Sequence, residues 1–145
     1  MKRTKASPGN GELIKRLCDM DESINIEFKR ASGKMVHKAL EAIVAFANSD
    51  GGFLILGMED PKKAKGADRL FGIQENPEAV DELHEQVAHR VTPSIEGITW
   101  RSLPCTLCGM AQRANLRLLR FRRAPKCIRL LRMGLGNAWK EAIAR

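Results

Sequence analysis

Three acidic residues occupy positions from which they could share a metal ion. Glu22 comes directly before a segment of alternating apolar and polar residues, Glu27 lies on the polar side of that segment, and Asp60 follows an apolar run. If the two segments are neighbouring strands, the three carboxylates meet at one edge of a sheet. Carboxylates that cluster in this way repel each other unless a divalent cation or a basic partner neutralises them. Mg²⁺ or Mn²⁺ held there could position a phosphodiester and activate water for its hydrolysis.

A simpler interpretation gives the same carboxylates a structural role. Glu27 and Asp60 have Lys29 and the lysines of residues 62–65 nearby in sequence, and ion pairs would satisfy both acids. Basic residues around the two predicted strand ends also favour a second chemistry, the neutralisation of nucleic-acid phosphates, which gives salt-sensitive binding without sequence preference. The candidate phosphate contacts are Lys29, Arg30, Lys34, Lys38, Lys62, Lys63 and Lys65.

Base stacking has little support in the sequence. The chain has no Tyr, and Phe28, Phe46 and Phe53 occupy positions that are expected to lie in the core. Proteins that hold single-stranded nucleic acids usually present aromatic side chains on an open surface. Binding is therefore expected to rely on backbone phosphates and to discriminate poorly between bases.

Length and composition favour a globular cytoplasmic protein with no membrane partner. The chain has 145 residues, of which 43% are hydrophobic and 29% charged, values that are typical of one folded domain. No apolar run approaches the roughly 18–20 residues of a membrane helix, and the basic N-terminus lacks the apolar core of a signal peptide. Four Cys residues without an export signal are expected to be reduced thiols. The sequence contains no Gly-x-x-x-x-Gly-Lys-Ser/Thr loop for binding ATP.

The elements that must position these residues alternate between helix and strand. The prediction is a helix at 12–17, a strand at 24–29, a helix at 34–48, a strand at 53–56, a helix that begins at 76–77 and ends at 92–93, and a strand from 95. Strict alternation places Ile24, Ile26 and Phe28 on the inner face of the first strand. The order predicts an α+β fold, layered as in α/β proteins, with a small mixed sheet and packed helices.

The charge distribution divides the chain near residue 100. Residues 1–100 contain 14 Lys and Arg against 16 Asp and Glu, whereas residues 101–145 contain 11 Lys and Arg against a single acid. The predicted organisation is an arm and short helix at 1–20, a domain at 21–100 and a basic, Arg- and Leu-rich tail at 101–145.

Two interpretations of the tail stay open. In one, Arg113, Arg117 and Arg120 form a helical row that continues into a basic amphipathic arm for phosphate or an anionic surface. In the other, the tail is disordered or translated out of frame, because it is rich in Arg, Leu, Cys, Pro and Gly and lacks clean periodicity. The second interpretation predicts an unpaired sheet edge, through which the protein could form a homodimer.

Two sequence motifs resemble those of a known domain. Residues 22–29, ESINIEFK, resemble the opening of the Schlafen-type, AlbA-like DNA-binding domain. Residues 45–52, AFANSDGG, followed by residues 54–60, LILGMED, resemble its central motif. The motifs occur in the family's order with a predicted helix between them, and the resemblance covers about residues 12–100. Relatives continue their sheet beyond this point, so the resemblance implies a truncated member.

The resemblance implies a nucleic-acid-binding, regulatory module that contacts the phosphate backbone of DNA or RNA. Bacterial members of the family are often joined to an ATPase-like region.

Animal Schlafen proteins use two glutamates and an aspartate from these motifs to cleave transfer and ribosomal RNA with a divalent metal. The matching positions here are Glu22, Glu27 and Asp60, which the resemblance implies as catalytic and metal-binding residues of an alternative endoribonuclease. The animal nuclease cleft contains two such units, so this chain would have to act as a homodimer. A third alternative is a non-catalytic interaction fragment.

Overall fold

A four-stranded mixed sheet organises the chain. The computed structural model describes residues 10–106 and 113–130. Its helices are α1 (Asn10–Cys18), α2 (Met35–Ala47) and α3 (Pro77–Arg90). Its strands are β1 (Ile26–Lys29), β2 (Gly52–Leu56), β3 (Val91–Thr92), β4 (Thr99–Thr106), β5 (Arg113–Phe121) and β6 (Arg129–Leu130). Two short 3-10 helices, Gly66–Arg69 and Ile73–Glu75, lie between β2 and α3. These elements confirm the predicted α+β class.

The strand order of the main sheet is β1-β2-β5-β4. β1 and β2 run parallel and α2 is the crossover between them, as parallel neighbours require. β5 is antiparallel to both β2 and β4, while β3 and β6 form a separate antiparallel ribbon. β1 and β4 are therefore the two edge strands of the main sheet.

Helices on both faces of the sheet create two cores. The larger core lies between the sheet, α2 and α3, and its fully buried side chains include Leu40, Ile43, Leu54, Leu83 and Leu119. The smaller core lies between α1 and the opposite face, and it contains Ile14, Leu17, Phe28, Ile55, Leu103 and Leu116. α1 contributes Ile14 and Leu17 to this smaller core.

The predicted helices agree with the structure. α2 spans Met35–Ala47, one residue shorter at each end than expected. α3 begins as the sequence indicates, since the side chain of Asn76 accepts a hydrogen bond from the backbone N–H of Ala79 at 3.1 Å and Pro77 fits the first turn. None of the described helices is long and apolar enough to cross a membrane.

The turn after α2 holds a distant part of the chain. The side-chain amide of Asn48 donates a hydrogen bond to the carbonyl oxygen of Ile128 at 2.9 Å, and its Oδ1 accepts one from the backbone N–H of Ile128 at 2.7 Å. Gly51 has a φ of +88°, and a Cβ atom there would lie 2.4 Å from the carbonyl oxygen of Phe121. The AFANSDGG motif therefore docks residues 121–128 against the end of α2.

The first predicted strand begins later than its alternating pattern suggests. Ile24 is 91% exposed, so its predicted inward position is wrong. The backbone groups of Ser23 and Ile26 exchange two hydrogen bonds, at 3.2 and 3.3 Å, which closes a tight turn around Ile24 and Asn25. The alternation is therefore realised as a strand only from Ile26 onward.

The fold continues past the boundary predicted at residue 100. β5 lies between β2 and β4, and Leu103 of β4 and Leu116 and Leu119 of β5 are fully buried. Residues 101–106 and 113–130 thus belong to the folded unit, which corrects their interpretation as a tail. The remainder of the predicted tail lies outside the described residues, and an out-of-frame origin stays a prediction.

The predicted helical row of arginines lies on a strand. The residues concerned, Arg113, Arg117 and Arg120, belong to β5. The neighbours Leu118 and Leu119 pack on opposite faces of the sheet, in the smaller and the larger core respectively. A strand that is covered on both faces carries apolar residues at consecutive positions. Its sequence therefore lacks the alternation of a half-buried strand, and periodicity alone does not distinguish it from a buried helix.

Candidate nucleic-acid interface

A recess of about 520 Å³ lies beside the C-terminal end of β1. Five of the seven predicted phosphate contacts line it: Lys29, Arg30, Lys34, Lys38 and Lys63. They come from the end of β1, the start of α2 and the loop after β2. The parallel register sets Lys29 beside Leu56, so both strands end at the same edge of the sheet. This topology explains why residues more than 30 positions apart in sequence share one recess.

Arg30 forms a wall of this recess with two glutamates. Its guanidinium donates hydrogen bonds to the carboxylate of Glu75 and, at 3.2 Å, to Oε2 of Glu59. The guanidinium carbon also lies 3.7 Å from the centroid of the Phe71 ring. The hydrogen bond with Glu75 is the main reason that the pKa of Arg30 lies above its ordinary value. Arg30 is therefore engaged within the protein, and it organises the recess.

The lysines supply the remaining positive charge. The ammonium of Lys29 pairs with Oε2 of Glu27 at 2.9 Å. Lys34, Lys38 and Lys63 are exposed, and no ion pair joins them to an acid within residues 10–106 and 113–130. These three side chains are the ones best placed to meet an incoming anion.

The other two predicted contacts lie outside the lining of the recess. Lys62 is exposed, and its backbone N–H donates to Oδ1 of Asp60 at 2.8 Å. Lys65 lines a separate cavity of about 230 Å³, together with Arg69 and residues 18–21. Lys62 and Lys65 therefore do not line the recess, although Lys63 between them does.

The three predicted metal ligands have protein partners of their own. Oε2 of Glu22 accepts a hydrogen bond from the backbone N–H of Phe28 at 3.2 Å, Glu27 pairs with Lys29, and Asp60 lines the recess while accepting a backbone hydrogen bond. In the part of the chain that the structure describes, no three His, Cys, Asp or Glu side chains are arranged to hold a metal ion. The three carboxylates are therefore engaged separately within the protein, and the metal site stays a prediction.

Arg69 is a site residue that the sequence did not reveal. It is 1% exposed, and burial is the main reason that its pKa is lowered. Its guanidinium carbon lies 4.3 Å from the centroid of the Phe28 ring. It donates to four backbone carbonyl oxygens, those of Leu17 (3.1 Å), Cys18 (3.0 Å), Met20 (2.8 Å) and Glu59 (2.9 Å). Arg69 thereby ties the end of α1 to the loop that carries Glu59 and Asp60.

Fold and recess together define a small α+β domain with a lysine-rich edge, and its sequence places it in a family. The family model described as Schlafen, AlbA_2 matches residues 22–113, more than half of the chain, so the protein belongs to this family. The match confirms the resemblance drawn from the two motifs, and it indicates a nucleic-acid-related function. None of the curated proteins matches the chain.

Proposed function

We propose that the protein is a regulatory module that binds DNA or RNA through the phosphate backbone at the lysine-lined recess. The observation that carries the proposal is the convergence of Lys29, Lys34, Lys38 and Lys63 on one recess. Lysine ammonium groups replace the counterions condensed on a nucleic acid, and the release of those ions drives binding without reading the bases.

The acidic residues that line the recess do not cancel the positive charge of its lysines. Glu59 and Glu75 share the single positive charge of Arg30, so one negative charge of this group remains against the three exposed lysines Lys34, Lys38 and Lys63. Asp60 remains as a carboxylate beside the exposed lysines. A phosphate group would therefore meet more positive than negative charge at the rim of the recess, and the affinity is expected to fall as the salt concentration rises.

The double variant Lys38→Gln/Lys63→Gln tests this interface. Lys38 belongs to α2 and Lys63 to the loop after β2, so the variant removes one charge from each side of the recess. If each lysine neutralises one phosphate, the affinity for a 20-base-pair duplex falls about 30-fold at 0.15 M salt, and the slope of log K against log salt decreases by about 2. Fluorescence anisotropy titrations at several KCl concentrations measure both quantities.

Lys15→Gln is the matched control for that experiment. Lys15 is an exposed lysine on α1, outside the recess, and its neutralisation is expected to leave the affinity and the salt slope unchanged. Equal losses in log K per charge removed in the two variants would mean that only net charge matters, which would contradict a localised interface. An unchanged affinity in the double variant would contradict it as well.

The endoribonuclease alternative keeps one supporting observation, because Asp60 and Lys29 line the same recess. Purified protein is incubated with labelled transfer RNA and with duplex DNA, each with and without Mn²⁺. Cleavage that requires Mn²⁺ and is lost in Glu27→Ala would favour the nuclease. Binding without cleavage favours the module, and the absence of both would leave an interaction fragment.

A further inference from the structure

Among the residues that the structure describes, no helix covers one end of the sheet face on which α1 packs. The register aligns four residues in a row across the four strands: Ile26 of β1, Phe53 of β2, Arg120 of β5 and Thr99 of β4. We call these four residues the open row. Phe53 is 36% exposed, Arg120 and Thr99 are exposed, and Ile26 is half-buried.

The open row faces away from the larger core. Successive residues of a strand point to opposite faces, and Leu54 is fully buried in the core under α2 and α3. Phe53 therefore shares its face with Ile55, which lies in the smaller core under α1. Ile26 of the open row packs against this core, whereas Phe53 is 36% exposed, so the expectation that Phe53 is a core residue is wrong.

The chemistry of the open row fits an anion that carries flat apolar groups. An aromatic ring on an exposed sheet face offers a surface on which a nucleic-acid base can stack. The guanidinium of Arg120, the cross-strand neighbour of Phe53, is a suitable donor for the adjacent phosphate. A second copy of the chain fits less well, because a two-fold contact would bring the two Arg120 side chains together and would bury only two apolar side chains from each copy.

We propose that the open row binds a single-stranded nucleic acid, with one base stacked on Phe53 and its phosphate on Arg120. This inference rests on the proposed function and adds a preference for single strands to it. Ile26 and Lys29 lie about 10 Å apart along β1 but point to opposite faces of the sheet, so the open row is a contact separate from the recess.

The test compares three probes of equal length by fluorescence anisotropy: a 12-nucleotide single strand, its duplex, and an abasic strand that keeps the phosphates. Phe53→Leu keeps an apolar side chain but removes the aromatic ring. It is expected to weaken binding of the single strand about tenfold and to leave the duplex and the abasic strand unchanged. Phe53→Trp is expected to keep the wild-type preference, and DNA and RNA versions of the single strand show which sugar is preferred.

The outcomes separate this proposal from the proposed function. If the wild type binds all three probes and Phe53→Leu binds the single strand equally well, stacking is refuted and the phosphate interface stands. If the wild type binds none of the probes, both proposals fail. If Phe53→Leu instead converts a dimer into a monomer in sedimentation while every affinity stays the same, the open row is a contact between copies and the stacking proposal is overturned.

Discussion

Replacement of Arg69 by Met is expected to lower the free energy of unfolding by about 3–5 kcal/mol. Met approximates the volume of the buried side chain but donates no hydrogen bonds, so four backbone carbonyl oxygens lose their donor. Two of these, on Leu17 and Cys18, belong to the last turn of α1, where carbonyl groups have no partner within the helix. Each buried acceptor left unsatisfied costs about 1–3 kcal/mol, reduced where water can reach it.

Urea unfolding followed by circular dichroism measures this loss. Arg16→Met is the matched control, since Arg16 lies on the same helix, is exposed, and pairs with Glu12 at 3.3 Å on the helix surface. Its effect is expected to stay within about 0.5 kcal/mol. Arg69→Lys keeps the charge but cannot reach all four carbonyls, so an intermediate loss of about 1–2 kcal/mol is expected. A loss below about 1 kcal/mol in Arg69→Met would show that this clamp does not hold α1.

The Arg69 clamp also positions the candidate interface. Its Nε donates to the backbone carbonyl of Glu59, and the carboxylate of Glu59 accepts a hydrogen bond from Arg30. Arg30 in turn holds Glu75 on the following segment. The loop that carries Lys63 is therefore tied through hydrogen bonds both to α1 and to the end of β1. A stable scaffold of this kind reduces the entropic cost of bringing the lysines to a ligand.

The elements that were predictable are those whose signals are local. α2 and α3 have apolar residues at helical spacing, and the side chain of Asn76 caps α3 within three residues of its own position. The clustering of Lys29 and Lys63 was also predictable, because a helix between two strands favours parallel pairing and therefore brings the strand ends together.

The features that were missed depend on distant contacts. Arg69 is buried because it binds carbonyls about 50 positions earlier, and no local pattern marks an arginine for burial. Phe53 is 36% exposed although its neighbours Leu54 and Ile55 are buried, which the apolar run of β2 alone does not reveal. β5 was misread because a strand covered on both faces lacks alternation. In each case the environment of the residue is decided by another element of the fold.

Gly51→Ala is expected to destabilise the protein by about 2–5 kcal/mol, the sum of two causes. A φ of +88° is strained for a residue with a side chain and costs about 1–2 kcal/mol. The new Cβ would also lie 2.4 Å from the carbonyl oxygen of Phe121, a backbone atom that cannot rotate away, so the end of β5 must shift. Such overpacking costs about 1–3 kcal/mol.

Two further glycines of the chain separate these causes in the same urea experiment. Gly66 has a φ of +59° with open space around it, so Gly66→Ala adds strain without a clash and is expected to cost about 1 kcal/mol. Gly33 has neither a positive φ nor a near neighbour, and Gly33→Ala is expected to change stability by less than about 0.5 kcal/mol. If Gly51→Ala costs no more than Gly66→Ala, the contact with Phe121 is loose, and the AFANSDGG motif does not lock β5 against α2. If it costs the full amount, the AFANSDGG motif packs tightly against residues some 70 positions later in the sequence. The segment beyond residue 100 is then part of the same folded unit as the family's motifs.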